Sequence, residues 1–358
     1  MIVLNALGGI GYEALFSQNT GQVSDKYTVY ITPAGFTFTI WSVIYIFLGA
    51  GAIYSVSSVY RKSGPNSKVY VQPIILNWLF YVMLTLNYGL NTAWIFLWDS
   101  EWIVAACIFL LFITYTGWLA FTIACRRAKC AMKKKQEGVI KTAVYKEVRL
   151  QRIFVHNGIA LYSTWTTIAS LLNINIAFQY FGNCDAETTS LVCTAVLLTI
   201  LIGWFVLENT WLDSYVRYTI AQYPGLFTLF PTTIKVNLLM IFLSNIVIIF
   251  ATSGILSKQA ERNRPDGPVP ESIQILTWII LGVASAQLVV RLVLVIYRYR
   301  TQPLFKIQSI SAREEILTYK QTNRWSPPSI VNKFQDIQQS NNFYTSKEYL
   351  NFLYIQTK

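Results

Sequence analysis

Apolar runs of roughly twenty residues recur along most of this chain, and that recurrence limits what it can fold into more than any other feature. A bilayer core of about 30 Å calls for about 20 consecutive apolar residues per helix. Backbone N–H and C=O groups cannot face lipid unpaired, so such runs must be helices whose hydrogen bonds close within the segment. Six runs meet this requirement, at residues 36–59, 73–98, 102–125, 153–181, 190–207 and 273–297, and a seventh at 236–256 is equally apolar. The sequence therefore predicts an all-α, multi-pass transmembrane helical bundle of about seven spans over residues 31–300. A short apolar segment and outer loop, residues 1–30, precede it, and a polar, largely disordered tail, residues 301–358, follows. Residues 1–16 are apolar but too few to span, which leaves an interfacial segment, a signal-like stretch or part of a longer first helix.

Composition agrees with a lipid-facing surface. Hydrophobic residues make up 54% of the 358 and charged residues only 13%, about half the charged share of a soluble domain. The formal charge of +12 does not imply nucleic acid, because the Lys and Arg sit between apolar runs. Residues 126–152 carry ten of them, whereas the turn at 99–101 and the loop at 182–189 carry none. Basic loops lie on the cytoplasmic side, so the chain before Phe36 is expected outside and the tail inside, with the loop holding Lys258, Arg262 and Arg264 as the exception. The bilayer is the expected partner and no nucleic acid is expected; self-association is left open.

The ionisable groups do not build an enzyme. His156 is the only histidine and the five cysteines contain no CxxC pair, so no metal site of ordinary spacing can be assembled and no cofactor is expected to be covalently held. Cys184 and Cys193 leave room for a disulfide. His156 reads as a residue at the boundary of its span, and Arg291, about two turns from a span end, needs a partner such as Glu208. Near Trp98, Trp102, Tyr180, Trp211 and Tyr297 the spans end in amphipathic rings, as expected at the headgroup level. The last apolar run lacks Asn-Pro-x-x-Tyr, which argues against a G-protein-coupled receptor.

Three motifs stand out. The first runs from Thr32-Pro33-Ala34-Gly35-Phe36 through Trp41 and Tyr45 to Gly49; the second is Asn91-Thr92-Ala93-Trp94-Ile95-Phe96; the third runs from Tyr162-Ser163-Thr164-Trp165 to Asn173. At helical spacing Trp41 and Tyr45 share a face, as do Asn91 and Trp94, and Tyr162, Trp165, Ala169 and Asn173 form a stripe. An amide in lipid needs partners, so Asn91 and Asn173 must face other helices or a cavity. These residues either pack helices together or contact a ligand, and the pattern alone allows both.

Together the motifs resemble the translocator protein family, also called TspO/MBR or tryptophan-rich sensory proteins, and especially its longer multi-pass relatives. The resemblance implies a bundle whose aromatic-lined cavity takes a hydrophobic small molecule, a porphyrin or a sterol-like ligand. It places Trp41, Tyr45, Asn91, Trp94, Tyr162, Trp165 and Asn173 near that cavity. By the same resemblance, residues 1–16 stand where the family has a full first helix, as if truncated, and residues 225–245 look inserted. The alternative function is transport of a small or amphipathic molecule, for which Asn87, Asn91, Asn157, Asn173 and Asn175 would supply polar groups inside the spans.

Overall fold

The long apolar runs fold into long helices joined by short, capped turns. The structure, a computed structural model, describes residues 1–64, 67–136, 144–216, 243–261 and 267–301. In chain order the helices are α1 (Ile2–Ile10), α2 (Thr20–Lys26), α3 (Ile40–Tyr60), α4 (Trp78–Asp99), α5 (Ile103–Gln136), α6 (Val144–Gln151), α7 (Asn157–Tyr180), α8 (Ala186–Asn209), α9 (Asp213–Val216), α10 (Leu243–Gln259) and α11 (Glu271–Thr301). A 3-10 turn, Gly35–Thr39, leads into α3 and a π-helical turn, Arg152–His156, leads into α7. A small antiparallel hairpin pairs Lys62–Gly64 with Ser67–Lys68.

Among the described residues, four helices are long and apolar enough to cross a membrane: Gly35–Tyr60, Ile103–Lys134, Ala186–Asn209 and Glu271–Val295. At 22 and 24 residues, α4 and α7 are also long enough for about 30 Å of hydrocarbon. They are less apolar because they carry the amides and rings turned inward, among them Asn87, Asn91 and Trp94 on α4 and Tyr162, Trp165 and Asn173 on α7. Of the expected run at 236–256, the part from residue 243 lies in α10, and the rest falls outside the described residues. The same holds for the stretch at 225–245 up to residue 242 and for residues 302–358 of the tail.

Local chemistry explains where the elements begin. Asn19 caps α2 by accepting from the Gln22 N–H at 2.9 Å, while the Gln22 side chain accepts from the Asn19 N–H at 2.7 Å. Asn77 and Asp185 cap α4 and α8 by accepting from the N–H groups of Phe80 and Thr188. Glycine lets α3 meet the entry to α7: a Cβ at Gly51 would lie 2.8 Å from the Phe154 carbonyl oxygen. One face of the nine-residue α1 packs on the bundle, where Gly8 meets Ile95 and the Asn5 amide donates to Asn91 Oδ1 at 2.7 Å, while Val3 and Ile10 are exposed.

The two ends of the bundle carry opposite charge. At one, Asp99, Glu101, Asp185 and Glu187 gather with the residues around α2: Ser17 and Gln18 N–H groups donate to Asp99, and Tyr180 donates to the Thr28 carbonyl at 2.7 Å. At the other, Arg61 pairs with the buried Glu147 at 2.8 Å, and Lys129 donates to Ser214 at 2.6 Å while lying over the Tyr215 ring. The segment at 126–152 is helical in part, since α5 continues to Gln136 and α6 follows. His156, expected at a boundary, is fully buried with Nδ1 3.6 Å from Cys125 Sγ, and all five cysteines are free thiols.

Arg291 meets the partner that the sequence asks for. Its Nε lies 3.6 Å from Glu208 Oε1, and Nη1 donates to Asn209 Oδ1 at 2.6 Å, joining α11 to α8. Removing one member of a largely buried pair strands the other, at a cost of about 3 kcal/mol. Arg291→Met should therefore lower the thermal midpoint in detergent more than the double variant Arg291→Met/Glu208→Gln does. A single variant no worse than the double would show that the pair does not join these helices.

Candidate functional site

The 3-10 turn places the first ring. Ala34 starts it in an extended conformation, and the Thr37 hydroxyl folds back to donate to the Ala34 carbonyl. Proline at position 33 thus stands two residues before the turn and not at its first helical position. Trp41 follows at the start of α3 and becomes the hub of the cluster. Its ring is stacked on Tyr45 at 5.5 Å, edge-on to Trp165 at 6.1 Å, and tilted against Tyr162 at 6.3 Å and Trp94 at 6.5 Å. These separations are ordinary aromatic packing distances, and α3, α4 and α7 are held together through them. Trp98 extends the group, stacked on Trp94 at 5.9 Å.

Polar atoms beside these rings are incompletely paired. Asn173 Nδ2 donates to the Ala169 carbonyl at 3.1 Å, leaving Oδ1 buried with no partner. The indole N–H groups of Trp94 and Trp165 are also buried and unpartnered. Asn91 Oδ1 accepts from Asn5, while Asn91 Nδ2 and the Tyr162 hydroxyl are buried without a hydrogen-bond partner as well. A buried polar group without a hydrogen bond costs about 1–3 kcal/mol, so five such atoms around one ring cluster call for an explanation.

A cavity of about 60 Å³ lies against the cluster. Trp41, Trp94, Trp165 and Asn173 line it; Tyr45, Asn91 and Tyr162 stand behind them and do not. Trp98, Phe38, Pro33 and Ile31 complete the aromatic side together with Thr20 and Ser24 of α2. The opposite side is built from α8, α10 and α11, through residues such as Leu197, Ala251 and Ile280. The unit that carries the cavity comprises Met1–Ala221 and Leu238–Tyr297.

Residues 1–223 match the model of the TSPO-like protein family. The chain belongs to that family. No curated protein and no solved structure matches it. Family and apolar helices together make this TSPO-like chain an integral membrane protein of TspO type, with its spans in contact with the bilayer. The match reaches α9, whereas α10 and α11 lie beyond it.

The sequence motifs lead to the ring cluster but pass over much of the cavity wall. Trp98 is the clearest case: instead of marking a headgroup level it is 3% exposed, with its N–H donating to the Thr20 carbonyl at 3.2 Å. Its position four residues after Trp94 was the signal that could have found it. Trp102 and Trp211, by contrast, are exposed rings at helix ends. The wall residues on α8, α10 and α11 are ordinary aliphatic, small and hydroxyl side chains that carry no pattern of their own.

Two connections close the acidic end over the cavity. The Ala34 N–H donates to the Gly254 carbonyl at 3.0 Å, and Gln259 donates to the Tyr30 carbonyl at 3.1 Å, so α10 holds residues 30–37. On the other flank Glu101 accepts from Lys26, Tyr27 and Gln18. Those three donors hold its carboxyl down at about 2, the lysine contributing most, and the lysine is raised in return.

At Gly254 an added Cβ would land on the Thr37 methyl. Gly254→Ala should cost about 1–3 kcal/mol through overpacking. Thr37→Ser, which keeps the hydroxyl and removes the methyl, should restore most of that in thermal unfolding; a double variant as unstable as the single would show that the clash lies elsewhere. Glu101→Gln should lower the midpoint by a few degrees at neutral pH. Because the folded carboxyl titrates below its ordinary value, the gap between wild type and variant should be full above about 4.5, shrink as the pH falls, and close near 2. A gap independent of pH would rule out the charge as its source.

Proposed function

We propose that this TSPO-like protein binds a flat, largely hydrophobic ligand of tetrapyrrole or sterol-like class at the Trp41 cluster, without covalent attachment and without catalysing a reaction. The observation that carries this reading is the set of unpaired atoms on residues that line the cavity, Trp94 Nε1, Trp165 Nε1, Ser24 Oγ and Asn173 Oδ1. Two indole donors, a hydroxyl and one acceptor in an apolar setting suit a ligand that is mostly ring and has a few polar atoms at its edge. Pockets that enclose drug-sized molecules measure about 300–1,000 Å³, so with about 60 Å³ free a tetrapyrrole enters only as the rings part. Several spans would then shift together, since Trp41 alone touches α4 and α7.

The amides favour binding over transport. Asn87 donates to the Ile113 carbonyl and to Thr116, Asn157 to the Arg152 carbonyl, and Asn175 to Ser190. Asn87 and Asn175 in this way tie helices together, and Asn157 is spent on its own helix, so none of the three is left to line a polar route. The basic end, with Arg61, Lys62, Lys68 and the α5–α6 lysines, is assigned to the cytoplasm by the excess of positive charge, and the tail that follows Arg298 goes with it.

The test is quenching of intrinsic tryptophan fluorescence when detergent-purified protein is titrated with protoporphyrin, with an unrelated tryptophan-rich membrane protein as control. Saturable quenching absent from the control is expected. Trp41→Ala and Asn173→Leu should each weaken it about tenfold, or about 1.4 kcal/mol, with little change in expression. Quenching equal to the control's, or a loss of binding matched by an equal loss of folded protein, would assign these residues to packing alone.

A further inference from the structure

One face of α5 changes character along its length. Its first half, through Ile108, Phe112 and Tyr115, is exposed and apolar, as suits contact with acyl chains. Ile108 and Arg126 stand eighteen residues apart, about five helical turns, so they lie one above the other on that face. Lys133 follows after about two further turns, with Lys134 at its flank, and all three basic residues are exposed. Lys129, by contrast, is committed to Ser214 and the Tyr215 ring. The charges at 126, 133 and 134 therefore continue the lipid-facing stripe, and no acidic residue occurs between positions 126 and 135.

Neighbouring residues set the depth of these charges. The 34 residues of α5 measure about 51 Å against about 30 Å of hydrocarbon, so the helix runs well past the acyl chains. Arg127 Nη2 donates to the Ile74 carbonyl at 2.8 Å, four residues before Trp78, whose ring is exposed at the start of α4 as that of Tyr60 is at the end of α3. Exposed rings at helix ends mark the headgroup level, which puts Arg126 among headgroups. Lys133 is about 10 Å farther along the axis, within the range over which an anionic surface attracts basic side chains. The hairpin at the same end repeats the pattern: Lys62 and Lys68 are partners across its strands, and both are exposed. Like charges directly opposite each other destabilise a strand pair, and the buried carboxylate of Glu147 is taken by Arg61. A negative charge from outside the protein relieves that repulsion.

We infer that this end of the bundle docks on the anionic phospholipid headgroups of its own leaflet, through Arg126, Lys133 and Lys134 on α5 and the Lys62–Lys68 pair on the hairpin. This surface is independent of the cavity and of any ligand in it. Arginine takes phosphate oxygens in pairs, whereas the lysines act as point charges that favour a net negative lipid without fixing its headgroup. Each basic residue at an anionic surface is worth about a fivefold preference. Averaged over every lipid around the bundle, most of which touch only apolar faces, the preference is smaller.

The full-length protein in phosphatidylcholine nanodiscs is probed with trace phosphatidylserine or phosphatidylcholine carrying a nitroxide on the acyl chain, and electron spin resonance gives the share of each held at the protein. Wild type should hold the serine lipid about threefold more strongly, and high salt should reduce that preference. Arg126→Gln/Lys134→Gln should cut it at least about twofold, while Lys26→Gln, at the opposite end, should leave it unchanged. Lys68→Gln supplies a test of sign. Relief of the like-charge pair should raise the thermal midpoint in phosphatidylcholine nanodiscs and lower it in nanodiscs rich in phosphatidylserine, a reversal that a purely structural role does not produce. Equal retention of the two lipids by wild type, a preference untouched by Arg126→Gln/Lys134→Gln, or a Lys68→Gln shift of the same sign in both nanodiscs would overturn the inference. So would inorganic phosphate stabilising the protein in phosphatidylcholine as much as phosphatidylserine does, which would assign the surface to a soluble anion.

Discussion

An apolar solvent leaves a protein to satisfy its own polar atoms, and most of this structure can be understood as the working out of that requirement. Helices close the backbone. Threonines along α7, α8, α10 and α11 turn their hydroxyls onto carbonyls of their own helices, and Asn87 and Asn175 bridge to neighbours. The one charge deep in α11, Arg291, is met by Glu208 and Asn209. Asn87 Oδ1 and Asn175 Oδ1 are left unpaired by those bridges, and so are the indoles of Trp94 and Trp165 and the Asn173 oxygen, whose residues also line the cavity.

The same requirement decides which helices are least apolar. α4 and α7 carry the rings and amides of the candidate site, and they are tolerated in a membrane because α3, α5 and the added helices surround their polar faces. The burial of α7 shows this: residues on most sides of it are enclosed, including the consecutive Leu161, Tyr162, Ser163 and Thr164. A helix with this little contrast between its faces offers no single lipid stripe.

Much of the architecture was legible in the sequence, and the boundary of legibility has a physical cause. Helical spacing fixes which residues share a face, so Trp41 pairs with Tyr45, Asn91 with Trp94, and Tyr162 with Trp165 on spacing alone. An intramembrane arginine demands an acid, so Glu208 could be named. What could not be read was the far wall, since Leu197, Ala251 or Ile280 looks the same whether it faces lipid or a cavity. Nor could α1, whose nine residues are too few to span; its only signal was Asn5, and the partner of Asn5 lies 86 residues away. Trp98 went astray because a tryptophan near a span end usually sits at the headgroups, and here the acceptor for its N–H is the Thr20 carbonyl on a short helix folded over the end of the bundle.

The meeting of Gly254 with Thr37 has a consequence for how such a sequence can diverge. One residue belongs to the matched core and the other to a helix beyond it, yet the space at their contact admits only one methyl group. Neither can be enlarged while the other stays as it is, so their histories are tied: a lineage that gains bulk at 254 must already have given it up at 37. A core carrying threonine at 37 therefore accepts at this contact only a helix that brings glycine to meet it.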